Sequence, residues 1–208
     1  MTYDSIIFDL DGTMWDSADG IVGTWNLVLE DYPQITQKVT REKLTACMGL
    51  PLDEIGRRLF PECTAELQKE LMKKCCDLEN EYLSVHGGVL YPELKETLEA
   101  LSEKYRLFVV SNCQCGYIES FFAAHDTEKY FTDIECHENT GLSKGENNKL
   151  IISRNGLKNA VYVGDTQGDA DSAAFAGIPF VYAAYGFGSV EKYDYRINKF
   201  SDLCSIFL

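Results

Sequence analysis

Among 208 residues there is no Cys-x-x-Cys pair, and the only three histidines, His86, His125 and His137, are scattered without a partner pattern. Both lacks argue against a zinc site. The eight cysteines (Cys47, Cys63, Cys75, Cys76, Cys113, Cys115, Cys136 and Cys204) are therefore expected as reduced thiols that pack as small hydrophobes. For the closely spaced Cys113 and Cys115, redox activity is the rival reading. No apolar run approaches the roughly 20 residues that cross a bilayer. The N-terminal MTYDSIIFDL lacks the basic start and long apolar stretch of a signal peptide, so a cytoplasmic protein is expected. Positive charge is scarce as well: 19 Lys and Arg face 33 Asp and Glu, a net charge of −14. That balance opposes non-specific binding to nucleic acid or to an anionic membrane, yet leaves a local site free to take a small anion. Internal repeats and low-complexity tracts are missing too.

What is present falls into two kinds of territory. Residues 5–9 read as a buried strand. From about residue 17 to 84 the signals are helical. Ile21, Trp25, Val28 and Leu29 recur at helical spacing, and Thr40 and Gly49 suit the two caps of a helix. LDEIGRRLF and AELQKELMKKCCDLENEYL continue the helical pattern, the second rich in strong helix formers. The pattern changes at HGGVLYPEL. Pro92 is expected to open a helix with Leu94, Leu98 and Leu101 on one face. Strands are expected at 106–112, more weakly at 131–136, then at 160–165 and 179–185. Helices are expected between them, stopped by Gly156 and Gly177, with a short one at the end of the chain. Alternating strands and helices imply a parallel α/β sheet covered on both faces, which binds ligands beyond the carboxyl ends of its strands.

Polar residues stand at those ends. Asp9 and Asp11 follow the first strand, Ser111 and Asn112 end the second, and Asp165 and Asp169 follow AVYVG. Four converging carboxylates repel one another unless a cation joins them. Oxygen donors without Cys or His favour a hard ion, Mg²⁺ before others, which commonly shares its shell with a substrate phosphate. Lys144 adds a positive charge, and Ser111 with backbone N–H groups at a helix start suits phosphate oxygens. A carboxylate can attack phosphorus while a second one moves protons.

In this order the residues are similar to a known family. Asp9-Leu10-Asp11-Gly12-Thr13, Ser111, Lys144 and Gly164-Asp165-x-x-x-Asp169 match the four motifs of the haloacid dehalogenase superfamily, and the chain resembles its phosphoglycolate phosphatase-like members. The match spans nearly the whole chain. The resemblance implies a Rossmann-like parallel core, residues 1–15 and 86–208, with helices on both faces and an all-helical cap inserted at 16–85. It implies a Mg²⁺-dependent phosphatase for a small phosphorylated metabolite: phosphoglycolate, a sugar phosphate, a nucleotide or pyrophosphate. Asp9 would form an aspartyl-phosphate and Asp11 would act as acid and then base. Asp9, the Asp11 backbone carbonyl, Asp165 and Asp169 would hold the metal, Asp169 directly or through water. Ser111, Asn112 and Lys144 would hold phosphate. A monomer is expected, with a homodimer as the alternative.

The sequence departs from the family in places. Gly145 follows the third-motif Lys where many relatives have Pro, which leaves Lys149 as an alternative to Lys144. The segment after Asp11-Gly12-Thr13 is usually Leu-x-Asp-Ser and here is Met14-Trp15-Asp16-Ser17, in which Trp15 is expected to narrow the entrance. Gly49, Arg57 and Arg58 in the cap are candidates for substrate selection, against a solvated helix face for the two arginines. GFGS at 186–189 reads most simply as a loop, and the histidines as surface or loop residues. A calcium-loop reading of Asp-x-Asp-Gly fails because Gly12 sits at position four, not six. Asp165–Asp169 taken alone also fits a turn and a helix N-cap. A phosphomutase of the same chemistry and a non-catalytic phosphate-ligand-binding protein are the rival functions.

Overall fold

The computed structural model describes residues 3–208. In chain order its strands are β1 (Ser5–Phe8), β2 (Trp15–Asp16), β3 (Val89–Leu90), β4 (Arg106–Ser111), β5 (Phe131–Cys136), β6 (Ala160–Gly164), β7 (Phe180–Ala183) and β8 (Tyr195–Ile197). Six of them form one sheet in the order β5–β4–β1–β6–β7–β8, and every ladder in it is parallel. The apolar runs are continuous because both faces are covered. Alternate residues feed opposite cores: Ile6, Phe8, Leu107, Val109, Val161 and Val163 join one cluster, and Ile7, Phe108, Val110 and Tyr162 the other.

The helices are α1 (Ala18–Leu29), α2 (Arg41–Thr45), α3 (Leu52–Leu59), α4 (Ala65–His86), α5 (Leu94–Ser102), α6 (Tyr117–His125), α7 (His137–Thr140), α8 (Lys144–Asn155), α9 (Gln167–Ala176) and α10 (Asp202–Phe207). α8 and α9 pack on one face of the sheet, and α5 contacts β4. α1 and α3 pack against the long α4, α2 packs against α1, and α4 also lies along α6. β2 and β3 pair antiparallel, so the chain leaves for α1–α4 and returns from them side by side. Among the described residues no helix is long and apolar enough to cross a membrane.

Local chemistry accounts for several helix ends. Thr64 accepts from the Leu67 N–H at the start of α4. Ser143 and Glu146 form a reciprocal capping box on α8, and Gly156 closes it in the left-handed conformation. Where the expectations miss, the cause is tertiary. Residues 46–49 form turns rather than extending α2 to Gly49, and the Gly49 carbonyl bonds the Asn112 amide, 63 residues away. α5 begins at Leu94, not Pro92, behind a left-handed Glu93. β2, β3 and β8 escape sequence reading because two or three residues, largely polar or exposed in β8, carry no alternation.

Candidate active site

β1 is the point where the strand order reverses, with β4 on one side and β6 on the other. Phe8 is level with Val109 and with Val163. That register carries Asp9, Ser111 and Asp165 out at the same carboxyl edge, one or two residues beyond a shared level. The crevice beside such a strand is where open α/β sheets bind ligands.

Four side chains interlock there. Lys144 Nζ lies 2.6 Å from Asp169 Oδ1 and 3.0 Å from Asp9 Oδ1, all nearly or wholly buried. Lys149 instead sits 4.0 Å over the exposed Phe175 ring, so the lysine at the site is Lys144. Asp169 is also the N3 residue of a capping box: its Oδ2 accepts from the backbone N–H and the hydroxyl of Thr166 at 2.9 and 2.7 Å. The helix-cap reading of this residue is therefore realised, and its carboxylate also stands beside Lys144 and near Asp9 and Asp165. With Oδ1 on Lys144 and Oδ2 on the cap, Asp169 serves to position Lys144.

Asp9, Asp165 and Asp169 each bring a carboxylate oxygen within 4.8 Å of the others. Asp165 Oδ2 accepts from the Phe187 N–H at 2.7 Å, while Asp165 Oδ1 and Asp9 Oδ1 are buried without a hydrogen-bond donor. The Lys144 contact to Asp9 is thus an ion pair rather than a directed hydrogen bond. Two buried carboxylate oxygens lacking donors fit a small hard cation between Asp9 and Asp165. Burial pushes the Asp9 carboxyl up to about 7, Asp169 and Asp11 adding to the rise and Lys144 opposing it. Burial, then Asp169 and Asp9, push Asp165 well up as well. Burial pulls the Lys144 ammonium down, but Asp169 and Asp9 outweigh it and hold it above the ordinary lysine value.

Asp11 faces elsewhere. Its Oδ1 accepts from Trp15 Nε1 at 2.9 Å, Ser17 Oγ at 2.7 Å and the Tyr117 hydroxyl at 2.7 Å. Its side chain does not join the acidic cluster of Asp9, Asp165 and Asp169. Burial raises its carboxyl above the usual range against those three donors. Trp15 does not narrow an entrance: it is fully buried, edge-on to Tyr117 and Phe121, and orients Asp11. His125 packs half-buried against the same indole rather than on the surface. Tyr117 was not readable as a partner of Asp11, since a contact across 106 residues has no local signal; Ser17, only six residues on, was passed over.

The GFGS stretch is more than a loop. A Cβ on Gly186 would meet Asp165 Cβ at 2.3 Å, and its neighbour Phe187 supplies the N–H that fixes Asp165. Gly12, at φ +76°, leaves no room either: a Cβ there would lie 2.2 Å from Asp165 Oδ2. Gly12→Ala is expected to cost at least about 1–2 kcal/mol from backbone strain alone and to displace Asp165. Thermal unfolding with phosphate release checks it; a variant with the wild-type melting temperature would contradict it.

A cavity of about 40 Å³, room for a few waters, lies over Asp9 and Asp11. Ser111 and Asn112 line it from the sheet, and Trp25, Leu44, Gly49 and Glu79 from α1–α4 and their turns. One Asn112 amide N–H bonds the Gly49 carbonyl at 2.8 Å, tying the two parts together. Arg57 and Arg58 stay outside, exposed and paired with Asp53 and Glu54 of their own helix, so the solvated-face reading holds for them. Cys113 is buried in the cavity wall, and Cys115 is exposed with its sulfur 4.0 Å from that of Cys136.

Glu79 is a side chain that sequence reading missed inside an ordinary helical pattern. Trp25 Nε1 donates to its Oε2 at 2.5 Å and Gln114 Nε2 to its Oε1 at 3.0 Å. Burial pushes its carboxyl up to about 8, against those two donors. The folded protein therefore holds a proton that the unfolded chain releases above its ordinary value of 4.5. Stability from this group falls as pH rises from about 4.5 to 8 and levels beyond. Glu79→Gln lacks that loss. Its melting temperature relative to wild type is expected to rise across the window, by the equivalent of a few kcal/mol. A difference constant from pH 5 to 8 would contradict this.

The site and fold together define an α/β protein with a buried acidic cluster at the switch point of its parallel sheet. Residues 6–183 match the family described as haloacid dehalogenase-like hydrolase, and the chain belongs to it. It is 26% identical over 216 residues to the phosphoglycolate phosphatase of Photorhabdus laumondii, covering 97% of this chain and 91% of that protein. Identity to the Escherichia coli K12 phosphoglycolate phosphatase is 25% over 214 residues, 91% and 84% of the two chains. The crystal structure of a predicted phosphoglycolate phosphatase from Haemophilus somnus superposes with a TM-score of 0.88 at 24% identity, covering 100% and 99%.

Proposed function

We propose that the protein hydrolyses a small phosphate monoester through an aspartyl-phosphate on Asp9, with Mg²⁺ as cofactor and residues 16–85 as a cap over the site. The observation that supports this most is the pair of buried, donorless oxygens of Asp9 and Asp165 at the switch point, with Lys144 beside them. Mg²⁺ suits Asp9, Asp165 and the Asp11 carbonyl as ligands and, when bound, supplies charge neutralisation between the carboxylates and an incoming phosphate.

Asp9 attacks phosphorus and the bond to the ester oxygen breaks. Asp11, held by Trp15, Ser17 and Tyr117 and with its carboxyl raised, gives its proton to the departing alkoxide. It then takes a proton from the water that attacks the phospho-aspartate, which returns Asp9 and releases phosphate. Lys144, locked by Asp169, and Ser111 bind the phosphoryl oxygens, and the free N–H of the Asn112 amide points to the same role. The helices α1–α4 exclude bulk water from the phospho-aspartate.

Phosphate release from a panel of monoesters, with Mg²⁺ and with EDTA, tests this. Release only with Mg²⁺, and none from Asp9→Asn, is expected. No turnover of any monoester, with Asp9→Asn indistinguishable from wild type, would reject it. Isomerised sugar phosphate without free phosphate would make the protein a mutase.

A further inference from the structure

We infer that Cys115 and Cys136 are a modification site, where hydrogen peroxide closes a reversible disulfide that slows turnover. The slowing rests on the phosphatase reading; the bond itself does not. The two sulfurs lie 4.0 Å apart, although the residues are 21 positions apart in the chain. A disulfide needs about 2.05 Å, so the sulfurs must close by roughly 2 Å. Cys115 is exposed and borders an open groove beside α4, so a small oxidant reaches the pair from solvent. Backbone contacts hold the two segments together. The Glu138 N–H donates to the Cys113 carbonyl at 3.3 Å, and the Glu138 carboxylate accepts from the Cys115 N–H at 2.8 Å. Neither thiol sits inside a helix. Cys115 lies in the turn before Gly116, which has φ +85°, and Cys136 is the last residue of β5.

The two thiols are suited to different parts of the reaction. Hydrogen bonds from the Cys113 thiol and the Asn139 N–H lower the Cys136 thiol to about 7, against burial. A thiolate is the nucleophile in such chemistry. Burial, with Cys136 and Glu138 adding to it, pushes Cys115 up to about 11, so it keeps its proton. The Cys136 thiolate attacks one peroxide oxygen, the O–O bond breaks, and the departing hydroxide is protonated to water. The Cys115 sulfur then attacks the sulfenic acid so formed. The S–O bond breaks, its hydroxyl leaves as water with the Cys115 proton, and the S–S bond forms. The two thiols have lost two electrons, and the peroxide has taken them up. The turn that must move carries the site. Ser111 and Asn112 precede Cys115, and Gln114 beside it donates to Glu79. The Cys115 carbonyl accepts from Asn80 on α4, and Tyr117, two residues on, donates to Asp11. Pulling Cys115 toward β5 strains all of these, and a misplacement of about 1 Å can cost on the order of 100-fold in rate.

The experiment treats the intact chain with hydrogen peroxide, digests it without reductant and maps the peptides by mass spectrometry. Hydrolysis of p-nitrophenyl phosphate with Mg²⁺ is followed in parallel. A peptide pair joined through Cys115 and Cys136 is expected, with turnover lowered by at least about tenfold and recovered in dithiothreitol. Cys115→Ser, at an exposed position, is expected to keep the basal turnover and to resist the loss. Absence of the Cys115–Cys136 pair, or a Cys113–Cys136 pair in its place, overturns the inference. So does an equal loss in Cys115→Ser, or a bridged protein of undiminished turnover. If the reduced protein hydrolyses no ester, the phosphatase reading fails, and the mapped peptides alone decide the bridge.

Discussion

Asp9→Asn is expected to abolish phosphate release, by on the order of 10⁴-fold or more, and at the same time to raise the melting temperature of the metal-free protein. The two effects share a cause. Asp9 is 2% exposed, and its ionised form is opposed first by burial and then by Asp169. Its carboxyl is raised to about 7, so wild type loses stability as pH climbs from about 4 to 7. Asparagine removes that charge, while Lys144 keeps Asp169 at 2.6 Å as its partner. The gain in melting temperature is therefore expected to grow between pH 5 and 8. Added Mg²⁺ is expected to stabilise wild type and to do much less for the variant, because one of the two donorless oxygens is gone. Thermal unfolding at two pH values, with and without Mg²⁺, checks this. A variant less stable than wild type at pH 8 without metal would show that Asp9 is held as a favourable partner of Lys144, not as a strained nucleophile.

Lys144→Met should act in the reverse direction. It leaves Asp9, Asp165 and Asp169 buried together with no cation among them. Breaking a buried ion pair from one side costs about 3–5 kcal/mol, and the loss should shrink as pH falls and the carboxylates take up protons. Turnover should vanish with it. Lys149→Met, five residues along the same helix, removes only an exposed contact with Phe175 and should change stability by no more than about 0.5–1 kcal/mol. Denaturant titrations of both variants separate the cases; equal losses would mean that the third-motif lysine is wrongly placed.

The contrast between these two lysines marks the limit of the sequence. Apolar strands ending in aspartate and their alternation with helices made the parallel sheet and its acidic edge legible, because strand period and strand-end chemistry are local properties; the four motifs in order added to this only as a family resemblance. Lys144 and Lys149 were indistinguishable on that basis. Only the packing of α8 against α9 put one on the carboxylates and the other on an exposed ring. The same holds for Trp15, whose size suggested a gate. Its place between Tyr117 and Phe121 made it a buried donor to Asp11.

By itself, then, the sequence determined five of the six strands of the main sheet and three of the four acidic side chains expected to converge at its rim. Tertiary structure alone decided which oxygens lack donors, what holds Asp11, and that a helix residue as plain as Glu79 faces the cavity. The physical reason is range. Periodicity and capping act over a few neighbours, whereas desolvation and charge pairing depend on groups brought together from 54 or 106 residues apart.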